Sequence, residues 1–433
     1  MAKTQGSDAY KKLVRILIVL FVLVVLCCAG YILMDQSINA QVEENNRRAA
    51  EENAQLMSQY QQAKAEEEAK KEQGESIQWP TPKAEGWDVL DLTDYPITTP
   101  LKVSATRQSI LMNGMLLLNH WHSLPADFPE SELLSVYTVD KNIPVSGSDV
   151  KLFPEAITAL SRLIADAKEE GMEGFLVDEG YRDMVKQTEY YDEAAANYAD
   201  SLYGAALEEK VRQSVNVPGT SEYQSGLSFR MDRYMKNNPD FMSKKFYELE
   251  LSDWLLENCW EYGFVFRFPV EGYPNEAMQD KSYKTGESKK LSIYRYVGVP
   301  HATAMHLMDM CMEEYVEYLV LHPHIAIYEN GQLRYEITRI PGGNTAADVT
   351  VEISRSANDY SISYDNMGGL IVSMSYGSNS SFSRAGPVAR RFFYGYLAAS
   401  PHSIILHPTG CKDLSLPMLC ARFGRHPAVH FSK

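Results

Sequence analysis

Pro218-Gly-Thr-Ser-Glu-Tyr-Gln-Ser-Gly-Leu-Ser-Phe-Arg230 decides the fold, read with Glu179-Gly-Tyr-Arg182 before it and Lys281-Ser-Tyr-Lys-Thr-Gly286 through Tyr294-Arg-Tyr-Val-Gly298 after it. Working outward, Gly174–Arg182 (GFLVDEGYR) reads as a strand entering a loop, and Ala156–Ala167 (AITALSRLIADA) carries apolar residues at helical spacing. Leu251–Tyr262 and Thr303–Val320 are further amphipathic helices. His324–Ile340 reads as a hairpin turning at Asn330-Gly331, because Asn-Gly accepts the positive φ angles that a tight hairpin turn needs. Val349–Ser354 and Gly369–Ser375 add strands, and Thr285-Gly286 marks a turn. Long helices followed by late hairpins predict an α+β domain rather than a βαβ series.

The same three segments, in this order, resemble the VanY-type D-alanyl-D-alanine carboxypeptidases, zinc enzymes that trim peptidoglycan stem peptides. That family reads approximately S-G-Y-R with a later Gln, then P-G-x-S-E-H-Q-x-G-L-A-x-D, then K-x-x-x-T-G-x-x-x-E-P-W-H-x-R-Y-V-G. This chain supplies Glu179–Arg182 with Gln187, Pro218–Arg230 and Lys281–Gly298. It also keeps a family-like Trp254–Asn258 (WLLEN) and Tyr262–Pro269 (YGFVFRFP), with His301–Leu319 following the last block. The resemblance covers roughly residues 86–374. It implies a hedgehog/DD-peptidase-like α+β domain with a small antiparallel sheet, bound zinc and a stem-peptide substrate.

Laid on that pattern without gaps, the first zinc histidine falls on Tyr223, the zinc aspartate on Arg230, the general-base glutamate on Lys290 and the last zinc histidine on Ile293. The Trp of the last block becomes Ser292. Zinc takes imidazole nitrogen, thiolate or carboxylate oxygen and keeps one position open for water. A phenol is a poor ligand, isoleucine has no lone pair, and a guanidinium is a permanent cation. Without metal the attacking water keeps a pKa near about 15.7 rather than about 7. The expectation is therefore no cofactor and no hydrolysis.

The resemblance implies that Arg182 meets the carboxylate of the substrate. With Arg230 and Lys290 replacing the metal charge, an anion-holding pocket is one expectation, its substrate-binding set being Arg182, Gln187, Ser221, Arg230, Lys290 and Arg295. The other is a closed cleft, with Arg230 and Lys290 reaching water and Tyr223 and Ile293 filling it as core. Glu222, retained from the motif, is expected to pair with Arg230. Asp232, His301 and His306 are the groups at hand for a substitute metal site, but their spacing does not match well-kept flanks, since a one-residue shift inverts side-chain direction. Ser221 and Ser225 have no His and Asp partners at matching positions and suit turns. His120 and His122 alone do not make a metal site.

Outside this region the strongest signal is Ile16–Met34 (ILIVLFVLVVLCCAGYILM), an uncharged run of 19 residues. As a helix it spans roughly 28 Å, about the hydrocarbon thickness of a bilayer. Lys3, Lys11, Lys12 and Arg15 precede it, while Asp35, Glu43 and Glu44 follow. The positive-inside bias predicts a single-pass anchor in the cell membrane with residues 1–15 cytoplasmic and the main domain extracellular. A cleaved signal peptide is the rival, but no A-x-A site follows. Residues 35–78, rich in Ala, Glu, Gln and Lys, predict a helical stalk with too few apolar residues for a coiled-coil seam. The domain then occupies 79–375. Residues 376–433 carry seven Lys or Arg against one Asp413 and form a basic tail, or the product of a disturbed reading frame.

A net charge of −16 argues against nucleic acid as a partner. Cys27, Cys28, Cys259, Cys311, Cys411 and Cys420 have neither zinc-knuckle nor disulfide-framework spacing. The reading as a whole is a membrane-anchored pseudo-carboxypeptidase that binds peptidoglycan stem peptides or a cell-wall protein. Its rivals are a working D-alanyl-D-alanine carboxypeptidase with a non-standard metal site, and an interaction scaffold without affinity for cell wall.

Overall fold

Two antiparallel sheets carry the architecture. The larger runs β1 (Trp87–Asp91), β9 (His324–Glu329), β10 (Gln332–Pro341), β13 (Gly369–Ser375) and β12 (Asp359–Tyr364) in that spatial order. The smaller, in the order β5 (Phe175–Glu179), β6 (Ser228–Arg233), β8 (Ile293–Tyr296) and β7 (Phe264–Phe266), contains all three diagnostic segments or their immediate flanks. Two-stranded ladders join β2 (Pro100–Ala105) to β11 (Val349–Ser354) and β3 (Leu134–Ser135) to β4 (Lys151–Leu152). The computed structural model describes residues 78–344 and 346–377, with isolated positions before them. The expected membrane segment 16–34, the stalk and all but the first two residues of the tail lie outside the described residues, apart from those isolated positions. No helix among the described residues is long and apolar enough to cross a membrane.

Local sequence accounts for most of these elements. The β9–β10 hairpin turns at Asn330 and Gly331, with φ of 50° and 75°, the conformation expected of Asn-Gly. The helix Pro154–Glu169 begins with Pro at its first turn and buries Ala156, Ile157, Leu160, Leu163, Ile164 and Ala167 along one stripe. That stripe packs with Phe175 and Val177 of β5, Phe229 and Met231 of β6, and Tyr294 of β8. Each large apolar side chain fully buried there contributes about 1.5–3 kcal/mol. Gly226 must be glycine. Its φ is 68°, and a Cβ would stand 2.7 Å from Leu133 and 2.8 Å from Phe153.

Three expectations need adjusting. The single helix over Thr303–Val320 is two helices, Val299–Met308 and Met312–Leu321. Asp309 ends the first in the left-handed region at φ 51°, and Glu314 accepts the Cys311 N–H to start the second. The helix over Leu251–Tyr262 is α-helical only over Glu250–Asn258 and finishes as a 3-10 turn. The small antiparallel sheet expected is the four-stranded one, and the late hairpins, joined by β1, build a separate five-stranded sheet. Its two faces pack against the helix pair at 299–321 and against the helix Arg107–Met112. Tyr376, where the basic tail was expected to begin, is buried and hydrogen-bonded to Glu336.

Candidate functional site

The outward face of the smaller sheet assembles the positions singled out above. Arg230 of β6 lies directly opposite Ile293 of β8, and Tyr223 reaches the same place from the 3-10 turn Glu222–Ser225. Tyr223, Ile293 and Phe268 form a small buried apolar cluster with Leu291 against it. The three positions that match the metal pattern are thus together in space, and two of them are packed as core.

The third is locked by a feature invisible in the pattern. β5 pairs with β6 in regular register up to Val177 opposite Met231, then slips so that Glu179 stands opposite Arg230. Asp178 is the extra residue of this bulge. Two acidic residues therefore face one arginine. Arg230 Nε donates to Asp178 Oδ2 at 2.9 Å, its Nη2 forms a still shorter bond to the same oxygen, and Nη1 lies 3.7 Å from Glu179. Glu179 in turn takes Arg182 in a two-pronged pair, Nε and Nη2 each donating at 2.7 Å. The Arg182 guanidinium lies flat over the Tyr223 ring at 3.8 Å and over Tyr190 at 4.8 Å. Gln187 accepts from Arg182 Nη1 at 3.3 Å and donates to the Asn216 carbonyl at 2.8 Å.

Asp178, Glu179, Arg182, Tyr190, Tyr223 and Arg230 line an open cleft of about 700 Å³, together with Asp149, Lys186, Glu193 and Lys289, while Gln187 is buried behind Arg182. So the cleft persists although the metal positions within it are filled. Tyr223 lines it, but its hydroxyl is buried and without a hydrogen-bond partner among the described residues, and burial raises its pKa. Lys290 does not line it; the side chain is exposed, 5.9 Å from the Tyr273 ring. Ser292 bonds the Tyr273 hydroxyl at 2.7 Å.

The expected partnership of Glu222 with Arg230 is replaced by another. Glu222 sits between two fully buried arginines, accepting from Arg295 Nη1 at 2.5 Å, Arg267 Nε at 2.8 Å and the Ser228 hydroxyl at 2.6 Å. Arg267 reaches on to Glu313 through two bonds of 2.7 and 2.8 Å, and Asn119 donates to the same carboxylate. Burial works against ionised Glu222, but the Arg295 and Arg267 charges prevail and hold its pKa below the usual range. Arg295 also donates to the carbonyls of Gly114 and Leu116. It is enclosed by this network, and so does not face the cleft with Arg182. Ser221 is likewise buried, opening the 3-10 turn.

Zinc does not fit these residues. At the matched positions the protein offers a buried phenol, a guanidinium paired with Asp178, and an isoleucine. The other candidates are elsewhere: Asp232 pairs with Arg233, His306 stacks on Trp260, and His301 bonds the Tyr315 hydroxyl with its pKa pushed down to about 3 by burial. His122 bonds Asn119, and His120 packs edge-on to Trp121. Among the described residues no three His, Cys, Asp or Glu side chains gather as a metal site.

A mixed α/β domain with a peptide-sized cleft across an antiparallel sheet is the class these features define. Residues 149–284 match the VanY family, D-alanyl-D-alanine carboxypeptidase. The chain is 28% identical over 283 residues to a D-alanyl-D-alanine carboxypeptidase of Enterococcus faecium, covering 64% of this chain and 80% of that one. It is 29% identical over 209 residues to the bifunctional D-Ala-D-Ala dipeptidase and D-Ala-D-Ala carboxypeptidase VanXYC of Enterococcus gallinarum, covering 48% and 96%. Among solved structures, VanYB in complex with D-alanine-D-alanine shares 29% identity over 47% of this chain and 97% of that one, with a TM-score of 0.37. The chain carries a VanY-family D-alanyl-D-alanine carboxypeptidase domain.

Sequence reasoning missed Asp178 and Glu179. The signal was present: the chain has Glu179 where the family pattern opens with Ser, immediately after a second acid.

Proposed function

We propose that this protein is a membrane-anchored, extracytoplasmic VanY-like domain that holds peptidoglycan stem peptides in its cleft without hydrolysing them. One observation carries the reading. The cleft is open, while the place where the family pattern puts metal is occupied by Tyr223, Ile293 and an Arg230 tied to Asp178. Hydrolysis of an amide at neutral pH needs an activated water and a stabilised oxyanion; Tyr223, Arg230 and Ile293 offer no metal site to activate water, and the neighbouring carboxylates Asp178 and Glu179 are engaged by Arg230 and Arg182. Lys290, at the general-base position, is a cation outside the cleft. Binding is supported by what remains: a cleft of about 700 Å³ with polar walls, and relatives whose names concern D-Ala-D-Ala. Of the expected binding residues, Arg182 and Arg230 line the cleft, Gln187 is buried behind Arg182, and Arg295 and Ser221 support the frame.

The test is metal analysis of the purified full-length protein together with assay of D-alanine release from a stem pentapeptide, and calorimetric titration of the same peptide. Substoichiometric zinc, no release and saturable binding are expected. Stoichiometric zinc with D-alanine release overturns the proposal in favour of a working carboxypeptidase, and absence of binding overturns it in favour of a protein-interaction scaffold.

A further inference from the structure

The charges of the cleft are already spent on one another. Arg182 and Arg230 are its two inner cations, and each is engaged by a carboxylate from the same bulge, Glu179 on Arg182 and Asp178 on Arg230. The Arg182–Glu179 pair uses both parallel donor positions of the guanidinium, the geometry a ligand carboxylate would itself need. Its third contact is to Gln187, and the Tyr223 and Tyr190 rings lie 3.8 and 4.8 Å from its guanidinium carbon, so little of the group is left to offer. The Arg182 and Glu179 side chains are only 14% and 15% exposed, so water screens the pair weakly. Farther out, Lys289 bonds Glu287 at 3.0 Å and the Ser214 carbonyl. Lys186 remains at the exposed rim, but Asp149 and Glu193 line the same cleft without an ion pair among the described residues. The charge left over is acidic.

A ligand carboxylate reaching for Arg182 must displace Glu179, and one reaching for the more exposed Arg230 comes to lie beside Asp178 and Glu179, so either approach sets one carboxylate against another. A ligand that ends in an amide, or whose chain continues through the cleft, meets no such cost. It can still use the polar walls, which include Asp149, Lys186 and Glu193. We propose that Glu179 acts as a built-in pseudo-ligand on Arg182, so that the cleft selects stem peptides with a blocked or continued C-terminus over those with a free carboxylate. This rests on the peptide-binding reading above for its biological ligand, while the occupancy of Arg182 is a property of the protein alone.

The experiment pairs two readouts on full-length wild type, Glu179→Gln and Glu179→Ser. In the first, diacetyl-Lys-D-Ala-D-Ala acid and its C-terminal carboxamide are titrated by calorimetry. Wild type is expected to bind the carboxamide at least as tightly as the acid. Either variant should shift the acid-to-amide ratio toward the acid by about tenfold or more, the scale of one charged hydrogen-bonded contact. An unchanged ratio, or a wild type that already prefers the acid tenfold, overturns the inference while leaving peptide binding intact. In the second, acetate is added during thermal unfolding. Acetate should raise the midpoint of both variants but not of wild type, and equal responses overturn the inference. If neither peptide form binds any of the three proteins while acetate stabilises only the variants, the pseudo-ligand stands and the peptide-binding reading falls. Two variants are used because Gln keeps the volume of Glu179 and Ser restores the residue of the family pattern.

Discussion

Removing the charge of Glu222 tests the packing logic of the whole domain. The side chain is 3% exposed and is the shared acceptor of two arginines whose own side chains are fully buried. Arg267 and Arg295 against Glu222 and Glu313 make a balanced set. Glu222→Gln leaves one buried guanidinium charge uncompensated and turns an amide N–H₂ toward at least one donor. Breaking a buried pair in this way costs about 3–5 kcal/mol. For a domain of this size that is a fall in the unfolding midpoint of about 6–20 °C. Differential scanning calorimetry or circular dichroism on the full-length protein measures it, with Glu222→Gln/Arg295→Met as the cycle partner, which should recover part of the loss. The pH dependence gives a second check. Because the folded pKa of Glu222 lies below its unfolded value, its contribution is complete above the ordinary carboxylate range and is lost as pH falls through the folded pKa. Wild type should therefore lose stability on acidification below about pH 4 more steeply than Glu222→Gln. A midpoint change under about 2 °C, or identical acid slopes, would refute the argument by showing that water reaches the arginines.

Three further outcomes follow from the geometry. Tyr223→His/Arg230→Asp/Ile293→His should take up zinc, because Arg230 and Ile293 face each other across β6 and β8 and Tyr223 meets them; metal analysis of the triple variant decides. Gly226→Ala should cost about 2–4 kcal/mol, combining the left-handed backbone with the clash on Leu133 and Phe153, as read by denaturant unfolding. Protease added to intact protoplasts should remove the 79–377 region while sparing the N-terminal end, and protection of the domain would place it on the cytoplasmic side.

How far the sequence alone could reach depends on the range of each interaction. The Asn330-Gly331 hairpin, the strand at 175–179 and the helix at 154–169 are set by residues within a few positions of one another, and their signals are local. The break at Asp309 was masked because apolar residues run through both helices, and only a single residue changes hand. Partners of Glu222 lie 45 and 73 residues away, a pairing no local rule foretells. The two sequence expectations for the cleft, closed core or open cationic pocket, were each half of the arrangement. Tyr223 and Ile293 do pack as core, yet the cleft stays open; Arg230 does face it, yet the bulge at Asp178 supplies the compensating charge. A bulge adds one residue without altering composition, so the count of charges in a pocket could not be read before the register was known.

The loss of the metal pattern and the gain of Glu179 are best understood as one physical change. An arginine at position 230 introduces a permanent cation beside the retained Arg182, and two guanidiniums on one sheet face repel unless anions lie between them. Asp178 alone could serve only one of them. Glu179, bonded to Arg182 and within 3.7 Å of Arg230, serves both. With Ser at 179, Arg182 would be left to water or ligand and Arg230 would raise the potential of the cleft. With Asp at 230 and Glu at 179, three carboxylates would crowd Arg182. Either change by itself therefore unbalances the floor, whereas together they give a neutral, self-paired surface over an apolar plug. Such a surface holds its shape without metal. On the binding proposed above, recognition would rest on the walls of the cleft, and a free carboxylate would find little to grip.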